Sequence, residues 1–367
     1  MVTVSPTAGK TAKWNSSISN QMTETDKPAR DTLAPVSQSR LGKLMGVRIV
    51  GVGGHVPERT VKNEDLAALG YDADWIVQRT GIKARRHVPD GISTSDLAAE
   101  AAQRCIEDAG IDPADIDLLL LGTFTADMPL PSAACLVQEK LGLKAPALDL
   151  SAACASFVFA LWTGMQFVAS GCNRMVLVIG ADCNSRILNP EDKKTYPLFG
   201  DGAGAVLLAP GNSQQGMLSY AVGSDGSGAD LLCRPMGGSQ MPFTQEAADA
   251  GQYYMQMEGR PIFKWAVRIV GDTITEVLAE AGKTLDDVDL FIFHQANMRI
   301  ISSTVKSMGI DESKVATNLD RYGNTSAGSI PLVLDEVYRQ GRIKQGDLVL
   351  MSGFGAGLAW ATVLLQW

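Results

Sequence analysis

Histidine is scarce in this sequence. The 367-residue chain holds only His55, His87 and His294, so any chemistry that needs an imidazole has three candidates. No CxxC pair occurs among the six cysteines (Cys105, Cys135, Cys154, Cys172, Cys183, Cys233), which argues against a zinc ribbon or a thioredoxin-type site, and no metal is expected. No apolar run approaches the roughly 18–20 residues of a membrane span. An apolar signal-peptide core is also missing, so a reducing, cytoplasmic compartment with free thiols is the expectation. Positive charge is in deficit: the formal net charge is −8. Bulk nucleic-acid binding, which runs on phosphate neutralisation, is a poor fit. What is present is ordinary for a soluble globular chain of two domains or one large one, with 46% apolar and 20% charged residues. The 37 glycines point to tight turns and close backbone approaches.

Residues 1–46 differ from the rest: they hold six Ser and six Thr and no sustained apolar period. Glu24, Asp26 and Asp31 weaken a transit-peptide reading, so a disordered or processed N-terminal extension is expected there.

The remainder repeats itself. Glu107-Asp-Ala-Gly-Ile-Asp-Pro-Ala-Asp-Ile-Asp-Leu-Leu-Leu-Leu-Gly122 and Ala279-Glu-Ala-Gly-Lys-Thr-Leu-Asp-Asp-Val-Asp-Leu-Phe-Ile-Phe-His294 both read as helix end, turn and buried strand. Gly110/Gly282, Asp117/Asp289 and Leu118/Leu290 are among the identical pairs. Met175–Gly180 and Leu348–Gly353 continue the match. The unit is too long for a solenoid repeat and reads as a duplicated α/β half, residues 47–215 and 216–367. In the first register Cys154 corresponds to Ser326. Equivalent helix starts meet near the axis relating two such halves, which predicts Cys154 and Asn324 close in space.

Cys154 follows an apolar strand and small residues and precedes an apolar helix. A helix N-terminus favours a thiolate there; a buried structural cysteine is the plainer alternative. His294 opens a polar cluster directly after a buried strand, either as part of a site or as a hydrogen-bonded core histidine. Asn324, in Tyr-Gly-Asn-Thr, is a third candidate or simply a turn residue. Gly353-Phe-Gly-Ala-Gly357 lies where a backbone N–H can meet a developing oxyanion. Lys264, Arg268, Arg299 and Lys306 fall on two predicted helices, as an anion-binding patch or as a solvated face. Gly51-Val-Gly-Gly-His-Val56 only weakly matches a dinucleotide fingerprint, because its last position is Val.

These residues sit in motifs which together resemble β-ketoacyl-acyl-carrier-protein synthase III of the thiolase superfamily. The motifs are Trp75-Ile-Val-Gln-Arg-Thr-Gly-Ile82, Pro131-Ser-Ala-Ala-Cys135, Ala152-Ala-Cys-Ala155, Phe199-Gly-Asp-Gly-Ala-Gly-Ala205, Gly259-Arg-Pro-Ile-Phe-Lys264, His294-Gln-Ala-Asn297, Gly323-Asn-Thr-Ser326 and Gly353-Phe-Gly-Ala-Gly357. The resemblance runs from Val47 to Trp367. It implies an α/β, thiolase-like five-layered αβαβα fold of two halves, and a homodimer. It implies an acyltransferase that needs no cofactor and starts fatty-acid synthesis by decarboxylative Claisen condensation of an acyl-CoA primer with malonyl-ACP.

By the same resemblance Cys154 is the nucleophile, His294 and Asn324 hold the donor carbonyl, and the N–H groups of Cys154 and Ala356 form the oxyanion hole. Phe354 crowds the malonyl carboxylate. Trp75 and Arg79 clamp the nucleotide end of coenzyme A, Lys264, Arg299 and Lys306 dock the acyl carrier protein, and Leu130 enters the partner subunit's acyl pocket. Ser156, where the family often has Gly, and Leu130, where some members have Phe, are departures that leave the primer open. A same-fold acyltransferase or polyketide starter enzyme is the main alternative. A papain-like hydrolase shares only the order Cys, His, Asn, and a non-catalytic subunit sits poorly with an intact triad.

Overall fold

The computed structural model describes residues 39–367. In chain order the first half contains β1 (Arg40–Met45), β2 (Val47–His55), β3 (Thr60–Lys62), α1 (Ala73–Thr80), β4 (Ala84–Arg86), α2 (Thr94–Ala109), β5 (Leu118–Gly122), α3 (Ala133–Lys140), β6 (Ala147–Leu150), α4 (Ser156–Ala169), β7 (Val176–Cys183) and β8 (Asp201–Pro210). The second contains β9 (Gly216–Ser224), β10 (Leu232–Cys233), α5 (Gln245–Asp249), β11 (Gln256–Met257), α6 (Gly259–Ala281), β12 (Leu290–Phe293), α7 (Met298–Met308), β13 (Val315–Ala316), α8 (Leu319–Tyr322), α9 (Ser329–Arg339), β14 (Leu348–Gly355) and β15 (Ala359–Gln366).

Two sheets carry the architecture. One has the order β2-β8-β7-β5-β6, the other β1-β9-β15-β14-β12-β13. Apart from β1 the two repeat each other in order and direction: two antiparallel steps, then two parallel ones. The repeated aspartates explain part of this. Asp117 accepts the N–H of Arg174 (2.7 Å) just before β7, and Asp289 accepts the N–H of Leu348 (2.8 Å) at the start of β14. Each acid thereby ties one parallel strand to the next. Gly110 and Gly282 close α2 and α6 in the left-handed conformation, at φ 64° and 63°.

The strands are buried on both faces, which is why they read as unbroken apolar runs. In β7, Val176 and Val178 face α4 and α9, while Leu177, Ile179 and Ala181 face α2 and α3. Helices α4 and α9 lie between the sheets, α2 and α3 cover the outside of the first, and α6 packs on β9, β14 and β15 of the second. The layers are therefore α, β, α, β, α. The four leucines of β5 are at most 5% exposed, and each contributes about 1.5–3 kcal/mol by leaving water.

The expected N-terminal extension, residues 1–46, needs correction at its end. Residues 1–38 lie outside the described residues. Arg40–Met45, however, form β1, paired antiparallel with β9 from Arg40↔Val222 to Met45↔Gly216. This edge strand is held by ladder hydrogen bonds more than by burial, so it shows little hydrophobic signal. The stretch Gly51–Val56 is equally local in purpose. A Cβ on Gly53 would lie 2.3 Å from the Ala101 carbonyl oxygen, and one on Gly51 2.6 Å from that of Cys105. These glycines let α2 pack onto β2, and no helix follows them as a dinucleotide fold requires.

Gly180 tests the central packing. Its added Cβ would sit 2.3 Å from the Ala327 carbonyl oxygen and 2.8 Å from Phe157 Cβ. Gly180→Ala is expected to cost about 1–3 kcal/mol in a denaturant titration. Gly226→Ala, with nothing within 4 Å, is expected to change stability by less than about 0.5 kcal/mol.

Candidate active site

After β6 the chain makes a single 3-10 turn, Ala153–Ala155, and runs into α4. Ala153 is forced to φ 49°, in the left-handed region. Ser156 closes this turn: its hydroxyl donates to the Ala153 carbonyl (2.6 Å) and accepts the N–H of Ala152 (2.8 Å). The second half repeats the device. The turn Ser326–Gly328 precedes α9, and Ser326 has φ 52°. Ala153 and Ser326 are the two non-glycine residues with positive φ among the described residues. This shifts the sequence register by one: Ser326 matches Ala153, and Cys154 matches Ala327.

Cys154 is 5% exposed and lines two cavities. One, of about 240 Å³, is also lined by His294, Asn324, Phe354 and Ala356. The other, of about 390 Å³, is walled by Phe124, Ile187 and Met255 and shares Cys154, Phe199, Leu232 and Ala356 with the first. Burial pushes the Cys154 thiol up to about 12, against a hydrogen bond from Ser326 that favours the thiolate. The thiolate expected from a helix N-terminus is therefore not the resting form. Desolvation in a closed apolar site outweighs the helix-end field.

Behind the thiol lies Asp182, fully buried. Its Oδ1 accepts from the hydroxyls of Thr123 (2.9 Å) and Thr125 (2.8 Å) and from the N–H of Phe124 (3.1 Å), and its Oδ2 accepts the N–H of Ala327 (3.0 Å). Burial still raises it to about 6. Asp182 thus bonds the first half to the helix start of the second.

His294 directly follows β12, with its N–H on the Ser352 carbonyl (2.8 Å) and its Nδ1 2.7 Å from the Ser329 hydroxyl. Burial lowers it to about 3, so the ring is neutral near pH 7. The Phe354 ring stands edge-on to it, centroids 5.1 Å apart. Asn324 is bonded through its backbone to Leu198 and Gly200, and its Oδ1 accepts the N–H of Ser326 (2.9 Å). That bond leaves the amide NH₂ as the donor end.

The other candidates line neither cavity. Trp75 and Arg79 lie on α1, which abuts α7: a Cβ on Gly81 would lie 2.5 Å from Met298 Cβ. Lys264 lies on α6 and Arg299 and Lys306 on α7, two helices packed together, with Arg299 5.9 Å over the Phe263 ring. Leu130 stands apart at 84% exposure. Sequence reasoning did not single out Asp182 or Ser329. An acid inside an otherwise apolar strand, and a serine matching Ser156 in the repeat, are the signals that mark them.

Among the described residues no helix is long and apolar enough to cross a membrane, and no group of His, Cys, Asp and Glu is placed to hold a metal. Residues 148–226 match the profile of 3-oxoacyl-[acyl-carrier-protein (ACP)] synthase III, and residues 278–367 match that of its C-terminal part. A β-ketoacyl-[acyl-carrier-protein] synthase III from Rhodopirellula baltica is 53% identical over 345 residues, covering 89% of this chain and all of the relative. The crystal structure of 3-oxoacyl-[acyl-carrier-protein] synthase III from Aquifex aeolicus superposes with a TM-score of 0.81 at 39% identity, covering 88% of this chain and 100% of that one. The priming β-ketosynthase from the R1128 polyketide biosynthetic pathway superposes with a TM-score of 0.81 at 33% identity, over 91% and 98% of the two chains. Fold and relatives together define the class as a thiolase-like condensing enzyme, an acyltransferase. The chain belongs to the β-ketoacyl-[acyl-carrier-protein] synthase III family.

Two outcomes follow from this geometry. Ser156→Ala removes both bonds that close the Ala153 turn, and a loss of about 1–2 kcal/mol in unfolding free energy is expected. The second concerns pH. The unfolded chain binds a proton at His294 below its ordinary value of 6.5, whereas the folded chain does so only near 3. The contribution is present above 6.5 and is lost as pH falls. The urea midpoint of the wild-type protein, relative to His294→Gln, is therefore expected to fall between pH 7 and pH 4.

Proposed function

We propose that Cys154 carries the acyl group and that His294 and Asn324 hold the malonyl thioester, in a condensation that primes fatty-acid synthesis. The observation that carries this reading is the division of space at Cys154. One apolar cavity contains the thiol without the polar pair, and the other contains the thiol with it. The first suits an acyl chain, the second a malonyl unit.

In the first step the Cys154 sulfur attacks the carbonyl of an acyl-CoA. The sulfur–carbon bond forms, the donor's carbon–sulfur bond breaks, and the thiol proton passes to the departing coenzyme A thiolate. The protonated resting thiol means that proton loss accompanies attack. The oxyanion is received by the N–H groups of Cys154 and Ala356. The repeat supports this. In the first half Asp182, at the end of β7, takes the N–H of Ala327. At the matching point of β14 stands Gly355, with no side chain to take the N–H of Cys154, and a thioester oxygen fills that place.

In the second step malonyl-ACP enters. A Ser329 hydroxyl donating to Nδ1 keeps the proton of neutral His294 on Nε2, so Nε2–H and the Asn324 amide both donate to the malonyl thioester oxygen. The carbon–carbon bond to the carboxylate breaks, CO₂ leaves past Phe354, and the electron pair enters the enolate. Its carbon attacks the acyl-Cys154 carbonyl, the carbon–sulfur bond breaks, and the departing thiolate takes a proton from water to regain the resting thiol. No cofactor enters any step.

Trp75 and Arg79 are read as contacts of the coenzyme A nucleotide, and Lys264, Arg299 and Lys306 as the docking face for the acidic carrier. The protein is read as a cytoplasmic homodimer of two-half subunits, 47–215 and 216–367, with β1 an added edge strand on the second half's sheet. Supporting this are six free cysteines, the edge strand β6 with Leu148 exposed, and Leu130 projecting beside exposed Met128. Leu130 is then the residue that reaches the partner subunit's acyl pocket. A cavity of about 390 Å³ suits primers longer than acetyl.

Intact-protein mass after incubation with acyl-CoA is expected to show one acyl adduct, absent from Cys154→Ala; an adduct on that variant sinks the assignment. His294→Ala and Asn324→Ala are each expected to keep the adduct and to slow CO₂ release roughly 100–1,000-fold. Arg299→Glu is expected to raise KM for carrier-borne malonate with much less effect on acyl-CoA. Equal effects on both substrates speak against docking.

A further inference from the structure

Every charge that forms in the condensation meets a placed donor except one. The acyl and malonyl oxygens face N–H groups. The Cys154 sulfur, which leaves as a thiolate, shares its cavity with a neutral imidazole and has the Asp182 carboxyl behind it, which works against negative charge. The side-chain group set against that carboxyl is the Ser326 hydroxyl.

Ser326 is fully buried on the turn before α9, and that turn packs on the one that carries Cys154. Three bonds fix it. Its N–H goes to Asn324 Oδ1 (2.9 Å), its hydroxyl donates to Asn184 Oδ1 (2.9 Å), and the N–H of the next residue, Ala327, goes to Asp182 (3.0 Å). Asn184, also fully buried, is itself oriented: its Nδ2 donates to the Gly200 carbonyl (2.7 Å), which turns its oxygen to Ser326. The hydroxyl therefore has one proton and two acceptors within reach, the Asn184 oxygen and the Cys154 sulfur. A neutral sulfur is a weak acceptor and a thiolate a strong one. The proton belongs to Asn184 while the sulfur is neutral, and to the sulfur when it carries charge.

We propose that Ser326 is a catalytic hydrogen-bond donor whose hydroxyl turns from Asn184 to the Cys154 sulfur each time that sulfur becomes a thiolate. This rests on reading Cys154 as the acyl carrier. In acylation Ser326 donates as the thiol proton leaves. Once the sulfur–carbon bond has formed the sulfur is neutral again, and the hydroxyl returns to Asn184. In condensation the carbon–sulfur bond breaks, the electron pair stays on sulfur, and Ser326 holds that charge until water supplies the proton. Ser326 keeps its own proton throughout. A donor of this kind binds the transition state more strongly than the ground state, which is what accelerates a step. Between turns the Asn184 oxygen keeps the buried hydroxyl paired.

The test follows acylation of Cys154 by acyl-CoA over time, by intact-protein mass, in the full chain with and without Ser326→Ala. Alanine suits the turn, since Ala153 holds the matching place at φ 49° against 52° for Ser326. It also keeps the backbone N–H that orients Asn324. Losing a hydrogen bond to a charged group makes the thiolate scarcer, and the more basic sulfur recovers part of the loss as nucleophilicity, so acylation is expected to slow roughly three- to fifteen-fold. Labelling of Cys154 by iodoacetamide at fixed pH, read by peptide mass, is expected to slow by a similar factor, while KM for malonyl-ACP stays unchanged. Ser326→Gly, which lacks the hydroxyl and takes φ 52° without strain, serves if the alanine variant has a lowered urea midpoint. Equal acylation and labelling in wild-type and variant proteins overturn the inference and leave Cys154 as the acyl carrier. Normal acylation with slower CO₂ release overturns it too, because Ser326 then acts through Asn324. Absence of a Cys154 adduct in the wild-type protein removes the acyl-carrier reading and the inference with it.

Discussion

At the centre of this molecule β7 and β14 each meet the helix start of the other half at a glycine, with no room there for a side chain. A Cβ on Gly355 would lie 2.6 Å from the Cys154 nitrogen, and one on Gly180 2.3 Å from the Ala327 carbonyl oxygen. The first sets the second half's strand against a helix start of the first half, the second does the reverse, and together they bind the halves. Because packed interiors yield little, this fixes the thiol relative to the second half's imidazole and carboxamide more tightly than any one hydrogen bond does. Asp182 adds the polar part, joining Thr123, Thr125 and Phe124 of one half to Ala327 of the other.

Burial sets the chemistry of the centre. The thiol is pushed up, the imidazole down, and the Asp182 carboxyl up, each mainly by loss of water. At rest the thiol and the imidazole that face the cavity are uncharged. Charge on this scheme arises only during reaction, on oxygens that already face N–H donors and on a sulfur within reach of the Ser326 hydroxyl. In a dry site such placed donors act more strongly than in water and need little rearrangement.

Part of this was open to reading from the residues. The paired Asp117 and Asp289, the paired helix-capping glycines and the apolar runs after them disclose two α/β halves, because strands buried on both faces and left-handed caps each demand particular residue types. Cys154 and His294 stood out as reactive residues at the ends of apolar elements, and Asn324 through its place beside Ser326 in the repeat. Other features left no such trace. The strand Arg40–Met45 is an edge strand in which no residue is buried. The repeat slips by one residue between its first and later segments, and only the positive φ of Ala153 and Ser326 places that slip before Cys154. Ser329 and Asn184 matter through what they lie against, which composition and spacing do not record.

The chain alone determined which segments become strands and helices, where they stop, and that they come twice, since periodicity, capping and burial are local demands. It also carried the motifs that marked the family. Only the folded arrangement decided the protonation of the thiol and the imidazole, the turning of the Asn324 amide, the partition of space on either side of Cys154, and the placing of the Ser326 hydroxyl between Asn184 and the sulfur. Those depend on distances between residues far apart in the chain and on how much water the packing leaves between them.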